Sequence, residues 1–239
     1  MRLTYLYHSG FSLEGDGITI IIDYWRDTNG ADGYVHQELL HRPGQIYVLA
    51  SHFHEDHFNP EVLKWREQRP DIVYILSKDI LRHRRATKDD AFFLVKGSFY
   101  EDAFIHVHAF GSTDCGISLL IEVEGKKLFH AGDLNNWHWT DESTTTEAAL
   151  YEKQYLGELR DIRKSLDFVD VVCFPVDARI GTDFSRGAQQ FIESVKISLF
   201  IPMHFTANGF ESVAFFEDVA KDYGTSFWKI QYEGESIFF

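Results

Sequence analysis

His52, His54, Asp56 and His57 crowd into one block, Ser51-His52-Phe53-His54-Glu55-Asp56-His57-Phe58-Asn59-Pro60, directly after the apolar run Ile46-Tyr47-Val48-Leu49-Ala50. Imidazole nitrogens and carboxylate oxygens are the donors that zinc, manganese and iron accept. In an extended chain side chains alternate, so His52 and His54 point to one side. Asp56 and His57 are adjacent and can join them only if the backbone has left the strand. Asn59 then offers an N-cap and Pro60 a first helical position for a helix over 61–69. The four ligands therefore sit on a strand-to-helix loop, two along the strand and two around the turn, a natural division between two neighbouring ions. A polar surface loop would not account for that spacing.

One loop cannot complete two metal sites. Phe129-His130-Ala131-Gly132-Asp133 reads as a strand ending in a turn that leaves the Asp133 carboxylate at a sheet edge. Leu199-Phe200-Ile201-Pro202-Met203-His204 runs a buried strand into a histidine. Turn aspartates and core histidines are common when met alone; beside the block at 52–57 both become candidate ligands. His130 reads as a supporting donor or a core histidine. His8 reads as a partner of a ligand carboxylate or as structural. Asp177 ends the apolar run Val171–Val176, where a loop could reach the site. Trp137 and Trp139, with Asn135, Asn136 and His138, follow Asp133 and either wall a pocket or pack on a helix; Tyr24 and Trp25 are open in the same way.

The elements that must position these residues begin with strands at 3–7, 18–23, 46–50, 72–76, 92–96, 103–109, 117–123 and 127–131, the last two joined by a Glu124-Gly125 turn. A short basic helix is expected near 78–85. Thr144-Thr145-Thr146-Glu147 resembles a capping box, and Ala148, Tyr151, Tyr155, Leu159, Ile162 and Leu166 follow on one helical face. Strands at 169–175 and 199–202, helices at 186–195 and 211–223, and strands at 227–231 and 236–239 close the chain. Two sheets with helices on their outer faces fit this order. With 239 residues, 44% of them hydrophobic, and no linker, one domain spanning 1–239 is expected.

The net charge of −14 opposes non-specific binding to nucleic acid or anionic lipid; the one basic cluster, Arg82-His83-Arg84-Arg85 with Lys88, is equally a solvated helix face. Cys115 and Cys173 form no CxxC pair, which favours a reducing compartment. With no membrane-length apolar run and no signal-peptide core, the expectation is a soluble, cytoplasmic protein.

The H-x-H-x-D-H block, the later Gly-Asp and the Ile-Pro-Met-His together resemble the metallo-β-lactamase superfamily of hydrolases. Tyr7-His8-Ser9-Gly10-Phe11 and Ile22-Asp23-Tyr24-Trp25 are most similar to the branch that includes ascorbate-6-phosphate lactonase and N-acyl phosphatidylethanolamine phospholipase D. The resemblance runs from His8 to His204 and implies an α/β fold, a four-layer αββα sandwich with the site at one edge of the sheets. It implies His52 and His54 on a first metal, Asp56, His57 and His204 on a second, and Asp133 bridging. The chain departs from the family at the third histidine of the first site, where Ser112 aligns; Asp114 is the favoured substitute and His108 a weaker one. Two divalent ions opposed by Asp56, Asp133 and hydroxide leave a formal charge of roughly +1. Asp114 would bring it near zero and favour manganese or iron over zinc.

The resulting expectation is a metal-dependent hydrolase with one or two divalent ions (Zn, Mn or Fe). The ions would lower the pKa of a water to about 7, with Asp56 or Asp133 orienting it or passing a proton. The substrate would be a small ester, lactone or phosphoester, with Arg179 or Arg186 as candidate phosphate contacts; an oligomer is compatible. The competing readings are a di-iron oxidoreductase, which would need a flavin partner, a nuclease, which would need an RNA-binding arm, and a metal-binding protein that has lost turnover.

Overall fold

The computed structural model describes residues 1–28, 33–205 and 209–239. The apolar runs become strands β1 (Arg2–Tyr7), β2 (Gly10–Glu14), β3 (Ile18–Ile22), β4 (Gln45–Ala50), β5 (Val73–Ser77), β6 (Phe92–Leu94) and β7 (Phe99–Glu101). They continue as β8 (Ile105–Phe110), β9 (Ser118–Val123), β10 (Lys126–His130), β11 (Phe168–Pro175), β12 (Lys196–Met203), β13 (Ser226–Phe227) and β14 (Ser236–Phe238). The α-helices are α1 (Tyr34–Gln37), α2 (Lys78–Arg82), α3 (Thr145–Arg163), α4 (Arg186–Ser194) and α5 (Phe216–Asp222).

The strands form two seven-stranded sheets, ordered β14-β1-β2-β3-β4-β5-β6 and β13-β12-β11-β10-β9-β8-β7. From β14 to β6 the pairings are three antiparallel, then three parallel. From β7 to β13 they repeat that succession. No repeat is visible in the sequence, so the likeness of the two halves lies in topology alone.

Alternation along the strands decides the layers. Ile20, Ile22, Tyr47 and Leu49 face the second sheet and join a core with Val107, Leu119, Ile121 and Val171. Ile21, Ile46, Val48 and Ala50 point the other way, onto Val35, Leu39, Leu40, Val62 and Trp65. On the far side, Tyr155, Leu159 and Ile162 of α3 and Phe191 of α4 cover the second sheet. The layers thus run helix, sheet, sheet, helix, the αββα sandwich. β11, apolar from end to end but for Asp170, is covered on both faces as a central parallel strand should be.

Local signals were mostly obeyed. Thr144 and Glu147 make the reciprocal capping box of α3, and Glu124 and Gly125 both take positive φ in the β9–β10 turn. Asn59 accepts from the Glu61 N–H, but the helix it caps, Pro60–Glu67, is a 3-10 helix. The expected helix over 211–223 is confined to α5, and the strand over 227–231 to β13. There the Trp228 N–H still bonds the Phe200 carbonyl at 3.0 Å, and Trp228 and Ile230 are buried by packing past the end of the strand. β2, β7 and α1 had no separate signal: β2 is only five residues and alternates with Ser12 and Glu14, and α1 is a single turn. Among the described residues, no helix is long and apolar enough to cross a membrane.

Candidate metal centre

Seven chain segments bring chemistry to one rim, each past the carboxyl end of a strand: His8 after β1, Asp23 after β3, the 51–57 block after β4, Asp114 and Cys115 in the loop after β8, Asp133 after β10, Asp177 after β11 and His204 after β12. The carboxyl ends of parallel strands are where open α/β sheets place their ligands. The backbone bends sharply there, and His8, Asp23 and His204 all take positive φ (57°, 47° and 70°). Such conformations cost roughly 1–3 kcal/mol each and persist only where the surroundings impose them. An isolated antiparallel bridge from His8 to Phe205, with the His204 N–H donating to the His8 carbonyl at 3.2 Å, ties the two sheets together at this edge. Gly116 closes the other side. It has φ +70°, and a Cβ there would meet the Ser51 carbonyl oxygen at 2.1 Å and the His52 Cβ at 2.5 Å. Only glycine lets this loop lie against the β4 end, where the Ile117 N–H bonds the Ser51 carbonyl at 3.0 Å.

Asp133 stands at the middle. His52 Nε2 is 3.4 Å from its Oδ2, and His57 Nε2 and His204 Nε2 lie 3.1 and 3.2 Å from its Oδ1. Asp56 Oδ2 is 3.3 Å from His8 Nε2, and Asp114 Oδ2 is 3.4 Å from His54 Nδ1. Donor atoms converge in three overlapping groups, each within 4.8 Å: His8, Asp56, His57 and His204; His52, His57 and Asp133; His52, His54, Asp114 and Cys115. All seven expected ligands therefore meet, and two further side chains join them. His8, open in the sequence between a carboxylate partner and a structural role, lies beside the Asp56 carboxylate. Cys115 was not foreseen at all, because a lone cysteine on a turn carries no spacing signal. His108 does not join them: it lies inside β8, opposite Leu120 and Phe99. Ser112 reaches only the Asp114 N–H, at 3.4 Å.

Behind the donors stands a layer of orienting groups. Buried Asp23 accepts from His57 Nδ1 at 2.7 Å, from the Ser51 N–H at 2.7 Å and from Ser51 Oγ at 2.6 Å. Asp177 accepts from His204 Nδ1 at 2.8 Å and is gripped by the Arg179 guanidinium. A carboxylate only accepts, so each Nδ1 carries hydrogen and each Nε2 faces Asp133. His130 donates from Nε2 to the Ser9 carbonyl (2.8 Å) and accepts the Gly132 N–H at Nδ1 (3.2 Å). Both ring nitrogens are engaged, which makes it a brace. Asp23 was legible only as part of a family-like segment, although a carboxylate ending the run Ile18–Ile22 is itself a signal of a buried anion with partners.

Charge follows this arrangement. Burial works against an ionised Asp133, but His57 and His204 outweigh it and hold its carboxyl well below the usual range. Burial likewise disfavours charge on His204, yet Asp133 and Asp177 push its pKa up to about 9. His57 is raised for the same reason, between Asp133 and Asp23. Burial and the neighbouring His57 depress His52 to about 3. The donors also fit a cation by a stricter test. His52 Nε2, His57 Nε2 and Asp133 Oδ1 are buried and make no geometric hydrogen bond among the described residues, His57 and Asp133 facing each other as an ion pair at 3.1 Å. An unmatched buried polar atom costs about 1–3 kcal/mol, and a divalent ion would satisfy all three together.

A cavity of about 320 Å³ opens onto Asp133 and His204, walled by Trp137, Trp139, Tyr151, Thr113 and Arg179. The two indoles lie nearly parallel, 6.0 Å apart, and Trp137 Nε1 donates to the Asp133 carbonyl at 2.8 Å. Arg186 does not reach this cavity and pairs with Asp183 at 2.7 Å. Asn136 and His138 are held inward by Gln190 and by the Asp183 carbonyl. Trp25 packs against His8, ring centroids 5.4 Å apart, whereas Tyr24 belongs to the outer core with Trp65. A larger hollow of about 440 Å³ near Tyr24 lacks such a cluster, since its His36 is taken up by Asp27 and Glu61.

Comparison with known proteins agrees with this geometry. The family model for the beta-lactamase superfamily domain matches residues 2–149. Over 213 residues the chain is 27% identical to a UPF0173 metal-dependent hydrolase of Korarchaeum cryptofilum, covering 86% of this chain and 83% of that protein. Igni18, a metallo hydrolase of Ignicoccus hospitalis, superposes with a TM-score of 0.72 at 19% identity, covering 100% of this chain and 97% of that one. CmlA, a diiron β-hydroxylase of Streptomyces venezuelae, gives 0.67 at 15% identity, covering 100% of this chain and 54% of that one. At such identities the two structural likenesses establish a shared fold.

Proposed function

The chain belongs to the beta-lactamase superfamily, and from that footing we propose that it is a metal-dependent hydrolase of small molecules. The observation that carries this reading is the convergence at one rim of His52 Nε2, His57 Nε2 and Asp133 Oδ1, all buried and without a hydrogen bond among the described residues. His52, His54 and Asp114 would hold one ion, Asp56, His57 and His204 the other, with Asp133 between them. Bound divalent ions supply an activated water at neutral pH and polarise the oxygen of the scissile group. The protein's own part is positional. Asp23 and Asp177 fix the imidazoles, Asp56 or Asp133 orients the attacking water or takes its proton, and the Trp137–Trp139 wall excludes bulk solvent.

For the substrate we propose a small ester, lactone or phosphoester, with Arg179 at the cavity mouth meeting an anionic group. The likeness of Tyr7–Phe11 and Ile22–Trp25 to the lactonase branch, and the description of the UPF0173 relatives as metal-dependent hydrolases, support hydrolysis over other chemistries. The charge of −14 supports a small molecule rather than nucleic acid as partner. We take residues 1–239 to act as one domain, since the site draws on both sheets. A carboxylate-rich donor set also suits iron, which favours a di-iron oxidoreductase as the second reading; the diiron chemistry of CmlA is that protein's own.

The test is metal analysis of protein purified without added ions, followed by lactone, phosphomonoester and phosphodiester assays with zinc, manganese and iron. At least one bound transition metal, hydrolysis of one substrate class, and loss of both in His54→Ala are expected. Undiminished metal and activity in that variant refute the hydrolase site, and iron with a redox-active spectrum and no hydrolysis would turn the assignment to the second reading.

A further inference from the structure

The first metal position, as proposed above, has two imidazoles and Asp114. Resting on that reading, we infer that Cys115 is a further ligand there, so that this ion sits in a two-nitrogen, one-oxygen, one-sulfur set containing a thiolate. Cys115 Sγ lies 3.8 and 3.9 Å from the two ring nitrogens of His54 and 3.5 Å from Asp114 Oδ2. Asp114 Oδ2 is in turn 3.4 Å from His54 Nδ1, and one donor atom from each of His52, His54, Asp114 and Cys115 falls within 4.8 Å of the rest.

These separations match the edges of a small tetrahedron. Bonds of about 2.0–2.1 Å to nitrogen or oxygen and about 2.3 Å to sulfur, at tetrahedral angles, place N and O roughly 3.3 Å apart and S roughly 3.6 Å from either. A contraction of a few tenths of an ångström would bring His54, Asp114 and Cys115 to those lengths, and His52, within 4.8 Å of all three, would swing inward to complete the set. His52 supplies an independent sign of a ligand, because its Nε2 is buried with no hydrogen-bond partner among the described residues. The loop is also fixed in place: Gly116 lies against His52, and the Ile117 N–H is bonded to Ser51.

Cys115 makes no other polar contact among the described residues, so its sulfur is free to face a cation. The coordinated thiol gives up its proton to solvent, and one S–metal bond replaces the S–H bond. With Asp133 standing between the two positions, these four side chains would leave the first ion little room for a water, as in the closed sets of ions that hold structure. The position that keeps room for a water is then the one near His57 and His204. A thiolate favours zinc or cobalt over manganese, which reverses the preference for harder ions drawn from Asp114 alone.

The test is the full chain loaded with cobalt(II). A near-ultraviolet thiolate-to-cobalt charge-transfer band is expected, lost in Cys115→Ser and kept in His204→Ala. The other cysteine, Cys173, is fully buried in β11 and cannot supply it. Cobalt bound with visible ligand-field bands but no charge-transfer band overturns the cysteine assignment and leaves the hydrolase reading standing. Failure to bind cobalt overturns both. Should Cys115→Ser fail to fold, alkylation of the unaltered chain decides: Cys115 should react with iodoacetamide after chelation and be protected by zinc, and equal labelling in both states overturns the inference.

Discussion

Asp23 touches no expected ion, yet it governs the imidazole nearest the centre. Its carboxylate fixes His57 through Nδ1 and anchors Ser51 at the start of the ligand loop. Loss of such a partner typically lowers metal affinity ten- to hundredfold. Asp23→Asn should therefore weaken zinc binding by about that factor while the protein still folds, as competition against a fluorescent chelator would measure; unchanged affinity would mean that Ser51 and packing alone hold the ring. At this scale the clustered donors were legible, because His52, His54, Asp56 and His57 are close in sequence and chemically alike. Their partners were harder to read. Asp23 and Asp177 are single residues at strand ends and Cys115 a single residue on a turn, and only the meeting of segments remote in sequence gives them a role.

Strand ends and the loops between them set the precision of the rim. Gly116 is a narrow joint, since any side chain there would collide with the Ser51 carbonyl. Gly116→Ala should cost more than the roughly 1–2 kcal/mol of a left-handed alanine, and it should lower metal affinity as well because His52 must move. Urea denaturation and a zinc titration would show both, and a variant of unaltered stability would contradict the close approach. Elsewhere, Asp102 clasps the two sheets, accepting from Tyr47 of β4 at 2.7 Å, from Tyr100 of β7 at 2.9 Å, and from the Phe104 and Ile105 N–H groups. Burial would raise its pKa, but these donors outweigh that and lower it. A depressed carboxyl contributes stability above its unfolded pKa of about 3.9, and that contribution is lost as pH falls through the lower folded value. Asp102→Asn should thus lose stability at pH 7 and show a shallower further loss below pH 4 than the unaltered chain. Parallel acid-denaturation curves would refute the clasp. Most strands could be read from their apolar runs, and α3 from its capping box. The 3-10 form of Pro60–Glu67 and the shortness of α5 could not, since packing rather than propensity decides them.

At the level of the whole molecule, two sheets of matching topology meet at an edge where imidazoles and carboxylates face one another with unmatched polar atoms. Ions bound there would stabilise the fold by linkage, about 2.7 kcal/mol when free metal is a hundredfold above Kd. For a chain of this length that corresponds to a fall in Tm of roughly 5–11 °C on chelation. Calorimetry with and without EDTA checks this, and a Tm indifferent to EDTA would count against metal as part of the native state. The sandwich was legible from element order and family likeness; the matching succession of pairings in its two halves was not, because topology can persist where sequence similarity has gone. The central claim is that Asp133 stands between two cations held by opposite sides of this rim. An anomalous-difference map from crystals grown with zinc tests it most directly. The account predicts one peak between Asp133 and the His57–His204 pair and a second beside His52 and His54; a map with no peak within bonding distance of Asp133 would contradict it.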